Sequence, residues 1–249
     1  MNGEILMRCE HLSRHFGGLV AVNDVSIELE RGIVHAVIGT NGAGKSTLIN
    51  LLSGELTPSS GRVELLGQDV SNWTQSERAR AGLGRSYQRN TIYPSFSVLE
   101  NCRLSAQAKI QTPWAFWRVA QSDPKTLEIG REAAHLVGLG DVLERQAGFL
   151  SHGQKRQLEI AMCLSTAPKI LLLDEPLAGM GAEETERMLL LLQRLKIHHS
   201  ILLVEHDMDA VFRIAQRITV MVNGSVIASG SANDVRNNPL VRAAYLGEH

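Results

Sequence analysis

Short stretches in which apolar and polar residues alternate open the chain, and this period of two is typical of strands with one buried face. ILMRC begins at Ile5, and VSIELE begins at Val25 and runs toward a turn at Gly32. After Pro58, the segment GRVELLGQD predicts a further hairpin. These segments predict an antiparallel sheet in the N-terminal part of the chain.

Four more apolar runs predict buried strands. They are IVHAVIG, KILLLDEP, SILLVEHD and RITVMVNGSVIASG. The last run contains an Asn223-Gly224 pair, which is a strong signal for a tight hairpin turn. Helices are predicted over residues 46–53, ended by Gly54, and over residues 182–196. Strands that alternate with helices in this way predict a parallel α/β sheet.

The middle of the chain has a different pattern. Between residues 89 and 167 the strand signals fade, and the segment is predicted to be mostly helical. An irregular, proline-bounded stretch, TPWAFWRVAQSDP, interrupts it at residues 112–124. The aromatic patch from Trp114 to Trp117 fits either an exposed loop whose rings tuck onto helices or a contact that faces a membrane. We therefore expect a helical insertion in the α/β core.

Composition narrows the class of protein. The 249 residues carry a formal net charge of −1, so the chain lacks the basic excess of a nucleic-acid-binding surface. Cys9, Cys102 and Cys163 form neither a CxxC metal pattern nor a disulfide framework, which indicates buried thiols in a reducing compartment. The N-terminus has no secretory signal pattern, and no apolar stretch approaches the ~18 residues of a membrane span. We expect a soluble, cytoplasmic chain that can sit against a membrane protein.

A glycine-rich loop separates the strand VHAVIG from the helix that follows. It matches GxxxxGK[ST], and a strand before it and an apolar-faced helix after it are the context of a P-loop. The glycines would allow backbone N–H groups to surround a phosphate, Lys45 would neutralise the β and γ oxygens, and the Ser46 hydroxyl would ligate Mg²⁺. The alternative is a glycine-rich turn that only precedes a helix. The loop consists of Gly39, Thr40, Asn41, Gly42, Ala43, Gly44, Lys45, Ser46 and Thr47.

Acidic residues follow two of the buried strands. Asp174 ends ILLLD and matches the Walker B aspartate, which holds Mg²⁺ directly or through water. Glu175 is placed to orient and polarise an attacking water as a general base. His206 follows ILLVE, where it could donate to a γ-phosphate and sense its presence. A solvated turn and a purely structural histidine are the alternatives at these positions.

The stretch LSHGQKRQLEIA predicts a capped helix. Ser151 and Gln154 have the spacing of a capping box, in which each side chain bonds a backbone N–H of the other. Capping does not explain Gly153, because glycine in the first turn costs about 1 kcal/mol relative to alanine. A glycine-bearing helix N-terminus offers free N–H groups and the positive end of the helix dipole. We therefore expect an anion to approach this helix.

The order of P-loop, Gln88, LSHGQ, LLLDEP and EHD resembles the ATP-binding cassette (ABC) family of transporter ATPases over nearly the whole chain. Alone, Gln88 has the character of a polar surface residue, and Phe16 fits either a core aromatic or a platform for adenine. The resemblance implies that Phe16 stacks on adenine, and that Lys45, Ser46 and Thr47 contact phosphate and metal. It also implies that Gln88 contacts Mg²⁺ or the lytic water and relays the nucleotide state toward a membrane subunit.

The resemblance gives the other residues their roles as well. Ser151, Gly153 and Gln154 would be the signature, Glu175 the catalytic base and His206 the switch histidine, with ATP and Mg²⁺ as cofactors. Three departures from the family pattern stand out in the sequence. They are His152, where the signature usually has glycine, the run LAGM at residues 177–180, which lacks an aspartate found in many cassettes, and Tyr87, where phenylalanine is common.

The resemblance also implies a fold. It is the P-loop NTPase (RecA-like) fold, an α/β fold with a parallel-sheet core, an N-terminal antiparallel β subdomain and an inserted α-helical subdomain. Residues 1–249 would form a single ABC nucleotide-binding domain. Within it, residues 1–88 and 168–249 would form the catalytic core with its antiparallel part, and residues 89–167 the helical signature subdomain.

Four segments narrow the resemblance to the ATP-binding subunits of branched-chain amino acid importers, and related importers of amides and urea look alike there. The segments are FGGLVAVNDVS, DEPLAGM, EHDMDAVF and RNNPLVRAAYLGEH. The implied partners are integral membrane permeases, a second ATP-binding subunit that is a copy or a paralogue, and indirectly a solute-binding protein. The implied location is the cytoplasmic face of the inner membrane.

Two other classes of P-loop protein have to be weighed. Cassette ATPases that act on nucleic acid or the ribosome usually carry two cassettes, a long coiled coil or a basic arm, and none of these is visible here. A small-molecule P-loop kinase would make the LSHGQ helix a coincidence. We therefore expect an ATPase that hydrolyses ATP to ADP and phosphate, with no nucleic-acid partner.

Overall fold

The computed structural model describes residues 3–86, 92–110 and 123–246. Its strands are β1 (Ile5–Phe16), β2 (Leu19–Glu30), β3 (Val34–Gly39), β4 (Ser60–Leu65), β5 (Gln68–Asp69), β6 (Leu83–Arg85), β7 (Ile170–Asp174), β8 (Ser200–Val204), β9 (Arg217–Val222) and β10 (Ser225–Gly230). Its helices are α1 (Lys45–Ser53), α2 (Gln75–Ala81), α3 (Val98–Ile110), α4 (Pro124–Leu136), α5 (His152–Leu164), α6 (Ala182–Leu195), α7 (Met208–Ile214), α8 (Ala232–Asn237) and α9 (Pro239–Leu246). Two short 3₁₀ turns, Gly140–Val142 and Ala147–Phe149, precede α5.

The first strands form the predicted antiparallel sheet, in the order β2-β1-β4-β5. β1 and β2 are joined at Gly17, whose φ of 57° is a left-handed conformation that glycine adopts at low cost. In the second half of β2 alternate residues point inward, and Val25, Ile27 and Leu29 are buried. The period of two in the sequence therefore reports one solvated and one buried face.

The other long sheet has the order β10-β9-β3-β8-β7-β6. β9, β3, β8 and β7 are parallel to one another, and the residues of β3, β7 and β8 are all buried, which explains their continuous apolar runs. β10 pairs antiparallel with β9 across the predicted Asn223-Gly224 turn. Both turn residues have positive φ, 48° and 82°, as a two-residue hairpin of this kind requires.

Helix α1 lies in the core that both sheets share. Leu48, Leu51 and Leu52 are buried, as the apolar spacing predicted, and they belong to one cluster with side chains of β1, β2, β3, β4, β7 and β8. Gly54 ends the helix with φ 80° and donates its N–H to the last turn. The P-loop therefore leads into a helix whose apolar side chains are packed in this shared core.

Contacts divide the chain into two compact units. One unit consists of Met1–Leu83, Lys169–Glu175 and Leu192–His249, and contains β1 to β5, β7 to β10 and α1. The other consists of Gly84–Pro168 and Pro176–Leu191, and contains α3, α4 and α5. Among the described residues, none of the helices has the length and the hydropathy of a membrane-spanning segment.

Candidate functional site

Parallel strands bring the P-loop and the acidic residues to one edge of the sheet. The register pairs Val37 of β3 with Val204 of β8, and Val204 with Asp174 of β7. Because the carboxyl ends of parallel strands meet at the same edge, Gly39, Asp174 and Glu205 lie at neighbouring strand ends. This edge is where open α/β sheets bind their ligands.

The three glycines of the P-loop are required for different reasons. A Cβ on Gly39 would lie 2.4 Å from the carbonyl oxygen of Met221, and one on Gly44 would lie 2.3 Å from that of Ala21. Gly42 has φ 81°, but among the described residues nothing lies within 4 Å of the position its Cβ would take. Gly39 and Gly44 therefore allow close backbone packing, while Gly42 opens the loop on the exposed side.

Backbone hydrogen bonds hold this loop against the β9-β10 turn. The N–H of Gly224 donates to the carbonyl of Ala43 at 3.0 Å, and the N–H of Asn23 donates to the carbonyl of Gly224 at 2.8 Å. Within the loop, the N–H of Ala43 donates to the carbonyl of Thr40 at 3.1 Å. The predicted hairpin turn thus holds the P-loop in place through backbone hydrogen bonds.

The ammonium group of Lys45 lies inside the loop. Its Nζ donates to the carbonyl oxygens of Gly39 at 2.7 Å and Thr40 at 3.0 Å, and the residue is only 7% exposed. Burial lowers the pKa of Lys45, and the negative charges of Glu175 and Asp174 act in the opposite direction. A buried cation that faces two carboxylates can neutralise the charge of phosphate oxygens at this edge.

The N-terminus of α1 is open to an anion. Its N-cap is Gly44, which makes no side-chain capping bond, and its first turn contains no acidic residue. The uncapped N–H groups and the helix dipole therefore favour a negative charge from outside the helix. Thr40, Asn41 and Ser46 are exposed on this side, and Thr47 is half-buried.

The acidic residues differ in their surroundings. Asp174 is 3% exposed at the end of β7. Glu175 has φ 49°, a left-handed conformation that is uncommon for residues other than glycine, asparagine and aspartate, and its N–H donates to the carbonyl of Val204 at 2.9 Å. Backbone strain of this kind concentrates at functional positions. The turn is therefore more constrained than a solvated strand end.

His206 projects beside these carboxylates. Its Nδ1 lies 3.9 Å from Oε1 of Glu175 and 3.8 Å from Oε2 of Glu205, and its side chain is 59% exposed. Glu205 is fully buried, and its carboxylate accepts from the backbone N–H of His206 at 3.2 Å. The sequence places Glu205 at the end of an apolar strand, but nothing local to it predicts the full burial of its carboxylate.

The residues at this edge fit a magnesium ion. Mg²⁺ binds through one or two carboxylates together with substrate phosphates and water, so it needs few protein ligands. Asp174 supplies a buried carboxylate and Ser46 an exposed hydroxyl. Within the part of the chain that the structure describes, no group of three histidine, cysteine, aspartate or glutamate side chains could hold a metal by itself. The donor set is that of a phosphate-dependent magnesium site.

Phe16 is not a core residue. Its side chain is 42% exposed at the end of β1, next to Gly17 and Gly18, around which the described residues leave open space. The guanidinium of Arg14 lies over its ring, 4.7 Å from the centroid. This excludes the core alternative and leaves an exposed ring suited to stacking.

In the second unit, the predicted capping box is present at α5. The N–H of Gln154 donates to Oγ of Ser151 at 3.2 Å, and the N–H of Ser151 donates to Oε1 of Gln154 at 3.1 Å. Gly153 is buried, and a Cβ on it would lie 2.6 Å from Oε1 of Glu184. The group that approaches this glycine is therefore a carboxylate of the same unit, which the sequence analysis did not identify.

His152 lies beside the loop that follows β7. A Cβ on Gly179 would lie 3.3 Å from Cε1 of His152, and Gly179 itself has φ 74°. A cavity of about 450 Å³ opens next to this helix. Its lining residues include Ser151, Gly153, Gln154, Gln157, Glu184 and Arg187.

Four residues that the sequence analysis singled out lie outside the described ranges. They are Tyr87, Gln88, Trp114 and Trp117.

Comparisons with known proteins agree with this geometry. Residues 22–178 match the family model described as ABC transporter, and residues 225–249 match the one described as branched-chain amino acid ATP-binding cassette transporter. The chain is 38% identical to the high-affinity branched-chain amino acid transport ATP-binding protein LivG of Salmonella typhimurium, over 98% of each. It is 36% identical to the corresponding protein BraF of Pseudomonas aeruginosa, again over 98% of each.

Solved structures show the same architecture. A nucleotide-free ATP-binding cassette from an ABC transporter superposes with a TM-score of 0.88 at 30% identity, and covers 98% of this chain and 100% of that one. An ATP-binding cassette of an ABC transporter in its ADP conformation superposes with a TM-score of 0.88 at 30% identity, over 98% and 99%. The predicted fold class is confirmed by these superpositions.

Proposed function

The chain belongs to the ABC transporter family of ATP-binding cassettes, and we propose that it is the ATP-hydrolysing subunit of a membrane importer for branched-chain amino acids. The observation that carries this proposal is the match of residues 225–249 to the branched-chain amino acid cassette model, beyond the general cassette match. The identity of 38% with LivG over nearly the full length of both chains supports it. The alternative is that the importer carries another small polar solute, an amide or urea.

Hydrolysis depends on the edge of the sheet where Lys45, Asp174 and Glu175 meet. Ser46 and Asp174 would hold Mg²⁺, which would neutralise charge that develops on the phosphate oxygens. Lys45 provides a second positive charge at the same oxygens. Glu175 orients a water and accepts its proton, and His206 donates a hydrogen bond to the γ-phosphate. The separation of 3.9 Å between Glu175 and His206 supports this shared task.

Phe16 and Gln88 complete the proposed nucleotide site. Phe16 offers its free ring face to adenine, since Arg14 already covers the opposite side at 4.7 Å. Gln88, which lies outside the described residues, would contact Mg²⁺ or the lytic water and relay the nucleotide state to the permease. Residues 1–88 and 168–249 thus act as the catalytic core of one ABC domain, and residues 89–167 as its signature subdomain.

Two cassettes act as a pair, with ATP between them. Ser151, Gly153 and Gln154 of one cassette face the γ-phosphate of ATP on the P-loop of the other, which is a copy of this chain or a paralogue. The N-terminus of α5 suits this role because it presents the positive end of the helix dipole and the Ser151 hydroxyl to an anion. ATP closes the pair because it binds the closed state better, and hydrolysis reopens it.

Transport requires partners in the membrane. We propose that the chain is a peripheral protein on the cytoplasmic face of the inner membrane. Its helical subdomain and the Gln88 region contact two integral permease subunits. A solute-binding protein delivers the cargo. Closing and opening of the cassette pair then drive the permease.

Co-purification from native membranes tests this function. We expect two permeases and a solute-binding protein with the chain, and uptake of labelled leucine, isoleucine and valine by proteoliposomes that contain the complex, ATP and the binding protein. A Glu175→Gln chain should co-purify equally well and support no uptake. Recovery of ribosomes or of nucleic acid, with duplex binding that weakens steeply with salt, would contradict the proposal.

A further inference from the structure

The carboxylate of Glu184 lies on the N-terminus of α5. Its Oε1 accepts from Oγ of Ser151 at 3.4 Å. A Cβ on Gly153 would lie 2.6 Å from this Oε1 and 2.8 Å from Cδ of the same side chain. The space that glycine leaves at position 153 is therefore the space that Glu184 fills.

This contact places a negative charge where α5 has none of its own. The first turn of α5 contains no acidic residue, so the positive end of a 13-residue helix is neutralised only from outside the helix. Glu184 belongs to the first turn of α6, at the end of the loop that contains Gly179 and Gly181. The carboxylate of Glu184 thus places its negative charge near the positive ends of both α5 and α6.

The surroundings leave room for the carboxylate to move. Glu184, Arg187 and Ser151 line the same cavity of about 450 Å³, and Glu184 is only half-buried. Arg187 lies three residues after Glu184 on α6, a spacing at which opposite charges pair on a helix. The guanidinium of Arg187 is 3.5 Å from Oε1 of Glu183, and the side chain is 60% exposed. Its five N–H donors can therefore also bind the carboxylate of Glu184.

We propose that Glu184 is an autoinhibitory placeholder, whose carboxylate occupies the anion position of the signature helix until the γ-phosphate of ATP on a second cassette displaces it. This inference rests on the paired function proposed above. A carboxylate and a phosphate cannot share the position, because like charges at contact distance repel strongly outside bulk water. Glu184 therefore raises the ATP concentration that closes the pair, and keeps the cassettes apart at low ATP.

Neutralising this one side chain tests the proposal in a chain that cannot hydrolyse ATP. In a Glu175→Gln background, Glu184→Gln keeps the shape of the side chain and removes its charge. We expect the ATP concentration for half-maximal dimerisation to fall about five- to tenfold, the lower range of coupling between two groups. Dimerisation is followed by light scattering during an ATP titration.

Glu183→Gln is the matched control. Glu183 is the preceding residue of the same helix turn, it is 85% exposed, and its ion pair is with Arg187. Both variants remove one charge from the first turn of α6, but only Glu184→Gln removes the charge that lies at the N-terminus of α5. Equal titrations for the two variants, or a higher ATP requirement for Glu184→Gln, would overturn the proposal.

A measurement on the chain without nucleotide separates this proposal from the paired function. Sulfate should raise the Tm of Glu184→Gln more than that of Glu183→Gln, because only the first variant frees the helix N-terminus for an anion. Equal shifts with sulfate would reject the placeholder role. A parent chain that stays monomeric with ATP would reject the paired function, and the sulfate comparison would still decide the role of Glu184.

Discussion

Replacing Gly44 by alanine should destabilise the chain, because the added methyl group meets backbone that is fixed by the core. Gly44 has φ 97°, and its Cβ would lie 2.3 Å from the carbonyl oxygen of Ala21. The left-handed conformation costs a residue other than glycine about 1–2 kcal/mol, and overpacking costs about 1–3 kcal/mol. We expect the free energy of unfolding to fall by about 3 kcal/mol. For a chain of this length, that lowers Tm by about 6–12 °C.

Gly42→Ala is the comparison that isolates the steric part. Gly42 has φ 81°, so alanine carries the same conformational cost there, but the described residues leave its Cβ position open to 4 Å. We expect a loss of about 1–2 kcal/mol, or about 2–8 °C in Tm. Because this Cβ extends into the proposed phosphate site, ATP affinity should fall at least about tenfold, which is a loss of about 1.4 kcal/mol in binding.

Two measurements check both variants. Scanning calorimetry without nucleotide gives Tm, and isothermal titration with ATP, well below both midpoints, gives the affinity. An equal loss of Tm in Gly42→Ala and Gly44→Ala would contradict the steric role of Gly44. ATP binding by Gly42→Ala that is as tight as that of the unmodified chain would contradict the place of Gly42 in the phosphate site.

Three further predictions concern single side chains. Lys45→Ala should lower ATP affinity at least about tenfold with an unchanged circular dichroism spectrum, because it removes a charged phosphate donor; titration calorimetry measures this, and unaltered affinity would contradict the role of the ammonium. Burial lowers the pKa of His35 to about 4. Between pH about 6.5 and 4, the His35 imidazole therefore binds a proton in the unfolded chain but not in the folded chain. Stability should therefore fall by up to about 3 kcal/mol as the pH drops through that window, and urea unfolding of His35→Gln should show a shallower fall; equal slopes would refute this. Burial raises the pKa of the Cys163 thiol to about 12, so Ellman's reagent at pH 8 should modify it only in urea, and rapid labelling of the folded chain would contradict this.

Local signals predicted the buried strands and the position of the glycine-rich loop, for physical reasons. A strand buried on both faces must be apolar along its length, and the P-loop needs glycine, lysine and a hydroxyl at fixed spacing. Short-range chemistry also determined the capping box of Ser151 and Gln154 and the hairpin turn at Asn223-Gly224. Each of these features involves residues that lie close together in the sequence, so the sequence alone could predict them.

Features that depend on distant contacts could not be predicted in this way. Gly153 signalled that some group approaches α5, but nothing local indicates Glu184, which lies 31 residues further along the chain. The same holds for Gly44, whose partner is a carbonyl of β2, and for Glu205, whose burial depends on the sheet around it. Sequence patterns identify positions that need a partner, and tertiary packing decides which partner they have.

The proposed function requires that ATP joins two cassettes in the absence of hydrolysis. The decisive measurement is the mass of the purified Glu175→Gln chain in saturating ATP and Mg²⁺, by light scattering after gel filtration. We predict about twice the 27.3 kDa of one chain with ATP, and the mass of one chain with ADP. A single-chain mass with ATP, in a sample that has bound the nucleotide, would contradict the account.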